Sequence, residues 1–535
     1  MSYLKKSLTL TKTEIKIWLF SFALLVICFL PLIFNFIWGN HDWIPLKNGG
    51  FLTAGLIEGR FSQYLFLYLF LDSHILPILN TILGFLIYTL SLTLLSTRFF
   101  EFSIKSGATI FIIPLIATLP YINEITYFQF IIFSQLIWTF TIFCSLMFAK
   151  LSFHTNHIIY TILATLFLFL SIGGYPASAN LFVTSFALYL AQNYHQTSNL
   201  KNTIQKSLPF ILSLIISFSA LYVVYIYLQE HNRMLKMYNT ATNTPWELLL
   251  KLPKTLLISI KSMLTVQPFF SPLFKLLTTI IFFAFIFLYN IRHTSYKDLS
   301  IRLFLSISLI ITLKFSALLV KETANTYFSD NDPISFMIRA DFYSIPVFLL
   351  FSLFFIQTNF PQKITGNLVF ISIIILIFSN LNSNLSYSKT QTLGFKAEAN
   401  LQERILSRIE NSPLFTPKNF YNLVLADEIS LRHRYYRQSL FEQYGLYTLQ
   451  TPFTRYWLPH EHYNFYAPYP FVKSGSSINQ NDITPNMISF LSTDIKTWPS
   501  PNSIYVNHQY AIIAQSNKGK KMLQEQFKLL QRDLP

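Results

Sequence analysis

The sequence predicts a mainly α protein: a polytopic bundle of about eleven transmembrane helices followed by a small α/β domain outside the membrane. Three observations predict it. Of 535 residues, 52% are hydrophobic and 12% charged, with 55 Phe and a mean hydropathy of +0.42, a composition that belongs to membrane spans. Apolar runs long enough to cross roughly 30 Å of hydrocarbon recur up to about residue 381. From about Asn382 those runs shorten, and Asn, Ser, Gln, Tyr and His become frequent.

The predicted spans are 15–37, 74–97, 106–122, 126–149, 157–172, 176–192, 207–229, 271–290, 301–320, 336–357 and 364–381. The first follows Lys5, Lys6, Lys12 and Lys16; its length and the lack of a small-residue cleavage site predict a retained anchor. The apolar stretch 61–71 is too short to cross and is expected to lie along the interface or cap the first loop. Basic residues set the orientation. The N-terminal lysines, Arg98 with Lys105, Lys150, Lys201 with Lys206, and Arg292 through Arg302 fall on one side, predicted to be cytoplasmic. The loops 38–73, 121–126, 173–176, 230–270 and 321–335, and everything after 382, then lie outside.

Within loop 230–270, Lys251, Lys254 and Lys261 recur among leucines and isoleucines from Pro245 to Leu264. This predicts an interfacial amphipathic helix, bent at Pro253, resting on anionic headgroups or touching a substrate. In the C-terminal part, 382–535, helices are predicted at 395–409, 428–444 and 518–530, a buried strand at 420–425, and a strand or hairpin at 503–515.

The formal net charge of +16 is spread over span ends rather than gathered in a patch, so it is read as topology and contact with membrane lipids, not nucleic acid. Cys28 and Cys144 lie within apolar runs and imply no disulfide framework. Phosphate-loop, zinc-protease and nucleophile-elbow motifs are missing, and the histidines, the His460-Glu461-His462 cluster included, show no metal-ligand spacing. No metal or cofactor is expected.

What the sequence offers is acids and bases at the outer ends of spans, where ionisable groups are costly and tend to face a cavity. Asn40 to Arg60 is the richest stretch. Asp42 can take a proton from an attacking hydroxyl, or be a solvated loop acid or helix cap. Glu58 stands beside Gly59 and Arg60; Arg60 and Lys47 suit a phosphate contact or an interfacial anchor. Glu124, in the short turn Pro120-Tyr121-Ile122-Asn123-Glu124, is a second acid or a hydrogen-bonded turn residue. Lys314 and Lys321 are seven apart on one helical face, about 10 Å from each other, with Arg339 and Asp341 opening the next span. Together these cations suit a phosphate leaving group; the alternative is internal pairing of a lysine with Asp341.

Three local patterns in the first third resemble the GtrII-like glucosyltransferases, serotype-converting enzymes of O-antigen within the GT-C membrane glycosyltransferases. They are an acidic first outer loop from Asp42-Trp43 to Gly59-Arg60, the turn carrying Pro120, Tyr121, Glu124, Thr126 and Tyr127, and the interruption Gly174-Tyr175. The resemblance implies a GT-C-like catalytic region over 1–381 in a bacterial inner membrane, with the N-terminus cytoplasmic and the C-terminal domain periplasmic. It implies transfer of a sugar, usually glucose, from a polyprenyl-phosphate-sugar donor to a glycan acceptor such as O-antigen or lipopolysaccharide. Asp42 is then the general base, Glu124 orients a substrate, Arg60 and Arg339 contact phosphate, and Tyr127 and Tyr175 line the cavity with Glu58 and Asp341. The chain departs from the pattern in having only Lys47 as the basic residue after the first-loop acid, an apolar stretch at 130–133 and Pro176 after the interrupting tyrosine. A transporter or flippase for a lipid-linked glycan is the alternative from another class, and a glycan polymerase or ligase the alternative within the same chemistry.

Overall fold

The computed structural model describes residues 9–35, 61–63, 65, 68–69, 76–104, 108–126, 132–231, 245–264, 272–291, 295–316, 334–359, 362–419, 421–426, 471–475, 478, 484–514 and 516–532. The described residues divide into two compact units, the division falling between Lys389 and Thr390.

The first unit is helical. In order come α1 (Lys12–Phe34), α2 (Pro77–Leu94), α3 (Thr109–Ala117), the single turn α4 (Asn123–Thr126), α5 (Ile132–Thr155), α6 (Ile158–Gly174), α7 (Ala179–Thr197), α8 (Leu200–His231), α9 (Pro245–Leu264), α10 (Pro272–Ile291), α11 (Tyr296–Thr312), α12 (Ile334–Asn359) and α13 (Gln362–Glu410). Each predicted span overlaps one of these helices. Among the described residues, seven helical segments are long and apolar enough to cross a membrane: Lys12–Phe34, Ile78–Phe99, Ile132–Thr155, Leu200–Val224, Pro272–Ile291, Asp341–Thr358 and Val369–Leu393. The 17-residue α6 is apolar but shorter, about 26 Å at 1.5 Å per residue. α1 starts at a capping box, Thr11 Oγ1 accepting from Glu14 N while Glu14 Oε2 accepts from Thr11 N, which satisfies two otherwise orphaned donors.

Charged contacts tie one end of this unit together. Arg98, in the π turn Leu95–Phe99 that continues α2, donates to Glu14 at 2.6 Å. Lys150 on α5 donates to Glu101 at 2.6 Å and to the Phe99 carbonyl at 2.8 Å. Gln192 on α7 donates to the Phe100 carbonyl at 3.0 Å. Arg302 on α11, 2% exposed, pairs with Asp298 at 3.0 Å and meets His195 Nδ1 at 3.0 Å. Basic groups that the charge pattern assigns to one side therefore do share an end.

α13 differs from the sequence reading. A span ending at about 381 was expected, yet the helix runs unbroken for 49 residues. The polar residues that signal an exit are buried at helical spacing. Asn380 donates to the Leu115 carbonyl at 3.4 Å, Asn384 to the Thr118 carbonyl at 2.8 Å, and Tyr387 to the Asn123 carbonyl at 3.0 Å. Ser388 accepts from Leu32 N at 3.2 Å. These donors satisfy carbonyls at the C-terminal end of α3 and in the turn after it.

The second unit holds a four-stranded sheet in the order β2-β1-β4-β3, from β1 (Tyr421–Ala426), β2 (Phe471–Gly475), β3 (Ile504–Val506) and β4 (Tyr510–Ala514). β1 lies parallel to both β2 and β4, and β3 returns antiparallel on β4. Alternation sorts the side chains. Tyr421, Leu423, Ala511 and Ile513 pack on Ile405, Leu406 and Ile409 of the C-terminal part of α13, which from Thr390 onward belongs to this second unit. Val424, Tyr510, Ile512 and Ala514 pack on Met487 of α14 (Pro485–Ser489) and on Leu523 and Phe527 of α15 (Asn517–Arg532). β1, β3, β4 and the final helix thus occupy stretches where the sequence predicts strands and a helix, whereas β2 was not predicted; the helix expected over 428–444 lies outside the described residues.

Candidate functional site

α11 ends inside the helical unit, and its ending builds the site. The last carbonyls of an α-helix have no partner within it, and here three side chains from other helices take that place. Asn180 of α7 donates to the Leu313 carbonyl at 3.3 Å, Thr184 to the Thr312 carbonyl at 3.1 Å, and Ser344 of α12 to the Leu313 carbonyl at 2.8 Å. Asn180 Oδ1 also accepts from Ser316 N at 2.6 Å. The chain so held presents Lys314, whose ammonium donates to Asp341 Oδ1 of α12. The lysine is 1% exposed and the aspartate 0%. Two opposite charges buried this deeply persist only in each other's company.

Other polar groups surround the pair. Lys275, one turn into α10 and 3% exposed, lies within electrostatic range of both charges, and the buried Tyr121 within range of Asp341. Two residues after Asp341, the Tyr343 hydroxyl donates to the Gln135 carbonyl of α5 at 2.9 Å. The ring of Tyr175 stands 5.9 Å from that of Tyr343. Tyr175 follows the glycine pair that ends α6, and those glycines are needed for space. A Cβ at Gly174 would come within 2.6 Å of Cη2 of the buried Trp138, one at Gly173 within 2.6 Å of Cε1 and 2.9 Å of Cε2 of Phe61.

On the turn α4, Asn123 is 2% exposed, and neither its Oδ1 nor its Nδ2 has a hydrogen-bond partner among the described residues. Its carbonyl accepts from Thr126 at 3.0 Å as well as from Tyr387. A buried amide in this condition costs about 1–3 kcal/mol.

Of the residues singled out in the sequence, Tyr175, Lys314 and Asp341 come together here, and the internal pairing held open for the lysines is the one Lys314 makes. Glu124 sits on α4 and Arg339 on α12, their side chains outside the described part. Asp42, Lys47, Glu58, Arg60, Tyr127 and Lys321 lie outside the described residues. Sequence reasoning missed Lys275, Gln135, Asn180 and Tyr343. Lys275 carried a usable signal, being a lone cation one turn inside an apolar run; the other three become visible only when helices distant in sequence are packed.

No protein-family profile matches this chain, and no curated protein matches it.

Proposed function

We propose that this chain is an inverting membrane glycosyltransferase of about eleven spans, moving a sugar, glucose by the resemblance, from a polyprenyl-phosphate carrier to a cell-surface glycan on the outer face of a bacterial inner membrane. The observation that carries the reading is convergence: Tyr121 from the acid-bearing turn and Tyr175 from the glycine interruption both meet α12 next to the Lys314–Asp341 pair. Polar and charged groups gathered inside a helical bundle mark a place where substrate or ion is handled.

In the proposed reaction the acceptor hydroxyl attacks the anomeric carbon in line, the bond from that carbon to the phosphate oxygen breaks, and polyprenyl phosphate departs. Asp42 takes the hydroxyl proton, Glu124 orients a substrate, and Arg60, Lys47, Lys321 and Arg339 stabilise the leaving phosphate. Lys314 contributes through a cation already shared with Asp341. The buried pair equally favours a second reading, a transporter of a lipid-linked glycan, since intramembrane charges also line transport paths.

The test is sugar transfer in vesicles supplied with polyprenyl-phosphate glucose and candidate glycans, comparing the native chain with Asp42→Asn. Loss of a general base lowers the rate by roughly 10²–10⁴. Near-native turnover in the variant removes Asp42 from the role. Carrier lipid crossing the bilayer without transfer supports the transporter.

A further inference from the structure

Two buried polar side chains close to the Lys314–Asp341 pair are left without hydrogen bonds among the described residues. One is Asn123 on α4, whose Oδ1 and Nδ2 both lack a partner there. The other is Ser316, two residues after Lys314 and 2% exposed, whose Oγ lacks one as well. Yet the backbone of each is firmly held. The Asn123 carbonyl accepts from both Thr126 and Tyr387 at 3.0 Å, and Ser316 N donates to Asn180 Oδ1 at 2.6 Å. Buried polar groups are nearly always bonded, so side chains fixed in this way call for a partner that the fold does not supply. Both approach one turn of α12. Lys314 donates to Asp341 there, and Ser344 donates to the Leu313 carbonyl at 2.8 Å just ahead of Ser316. The 3-10 turn Pro120–Ile122 and α4 pack on α12 too, with Tyr121 within electrostatic range of Asp341.

The chemistry of these groups selects the ligand. A carboxamide oxygen accepts and its nitrogen donates. An ionised phosphodiester only accepts, so it cannot satisfy Asn123 Oδ1. A sugar hydroxyl both donates and accepts, and two adjacent hydroxyls can engage Oδ1 and Nδ2 of one carboxamide. Neither Asn123 nor Ser316 is charged, which suits a neutral polyol and leaves the phosphate to the cations. We propose that Asn123 and Ser316 bind hydroxyls of the transferred sugar, with Asn123 deciding which sugar is accepted. The assignment rests on the transferase reading.

Transfer in membrane vesicles from polyprenyl-phosphate glucose and from its monodeoxy forms, each lacking one hydroxyl, tests it. A site built to bond a hydroxyl rejects the analogue that lacks it. The native chain is therefore expected to lose roughly tenfold or more in kcat/KM on at least one deoxy donor. Asn123→Ala is expected to lose as much on glucose itself and to become indifferent to that same hydroxyl. Ser316→Ala, which removes a single oxygen, carries the same test where Asn123→Ala fails to insert. Native discrimination retained in both variants, as when the amide holds only an ordered water, overturns the assignment, and so does a native chain that uses every deoxy donor equally well. A second measurement is independent of turnover. In detergent without donor, Asn123→Leu, similar in volume but unable to bond, is expected to keep the native unfolding midpoint, because no hydrogen bond is lost. A lowered midpoint would make Asn123 a structural amide and overturn its role. If the native chain transfers no sugar, the transferase reading fails and the assignment falls with it; if it transfers sugar with discrimination unchanged by either variant, the assignment alone fails.

Discussion

At the scale of single residues, the Lys314–Asp341 pair is the costliest feature of the helical unit to disturb. Removing one member of a buried pair leaves the other charged in a medium that solvates it poorly, at about 3–5 kcal/mol, whereas replacing both by apolar groups of similar volume is often neutral. Asp341→Asn is therefore expected to destabilise the protein far more than the double variant Lys314→Met/Asp341→Leu. Unfolding by denaturant in detergent micelles measures both. Equal loss in the two variants would mean that the pair is not the desolvated contact described here. The sequence made this pairing visible as one of two options, because Lys314 is an ionisable residue deep within an apolar run and Asp341 opens the next one. Choosing between the options required the ending of α11, which Asn180, Thr184 and Ser344 determine from elsewhere in the chain.

At the scale of elements, hydropathy read helix positions well and helix ends poorly. α13 shows why: Asn380, Asn384, Tyr387 and Ser388 look like a departure from the membrane by composition, but their spacing of four, three and one places them along one helical stripe. That stripe meets the carbonyls of α3 and α4, and no composition window records which residues will be met. Asn384→Leu is expected to cost about 1–3 kcal/mol by stranding the Thr118 carbonyl, while Phe378→Ala on the exposed face of the same helix changes little; thermal unfolding distinguishes them. The sheet was legible where apolar alternation is strong, in β1 and β4, whereas β2 and the parallel order were not, since parallel pairing is set by distant crossovers.

α9 is helical over the stretch Pro245–Leu264 where the sequence predicts an amphipathic helix. Thr255, Ser259 and Met263 face inward, and the Met263 carbonyl accepts from Thr279 of α10 at 3.1 Å. Leu250, Lys254, Leu257, Lys261 and Leu264 form one exposed stripe. Leucines alternating with lysines on one face suit the membrane interface, acyl chains receiving the former and anionic headgroups the latter. At about 1 kcal/mol per lysine near an anionic surface, Lys254→Gln/Lys261→Gln is expected to lower retention of phosphatidylglycerol in mixed micelles by roughly an order of magnitude per 1.4 kcal/mol lost. Retention equal to that of the native chain would place the stripe away from headgroups.

At the scale of the whole molecule, the remaining question is which end faces which compartment. Glu14 with Arg98, Lys150 with Glu101, and Arg302 with Asp298 and His195 gather at one end of the helical unit. Short loops rich in Lys and Arg stay cytoplasmic because translocating them is opposed. With the N-terminus at that same end, an odd number of crossings sends the chain after α13 to the opposite side, and an even number returns it. The eleven spans predicted from hydropathy are odd in number and return residue 199 to the N-terminal side after six crossings, in keeping with the shared end of Arg98, Lys150 and Arg302; the seven segments that qualify on length and composition among the described residues, taken as the only crossings, would place residue 199 on the opposite side. Alkaline phosphatase fused after Pro535 is expected to be active, and the same enzyme fused after Asn199, between α7 and α8, inactive. An inactive C-terminal fusion beside an inactive one at Asn199 would make the crossing number even and return residues 390–535 to the cytoplasm, away from the acid-bearing loop. Activity at both positions would show that the basic end is not the cytoplasmic one, and the proposed reaction face would have to be exchanged for its opposite.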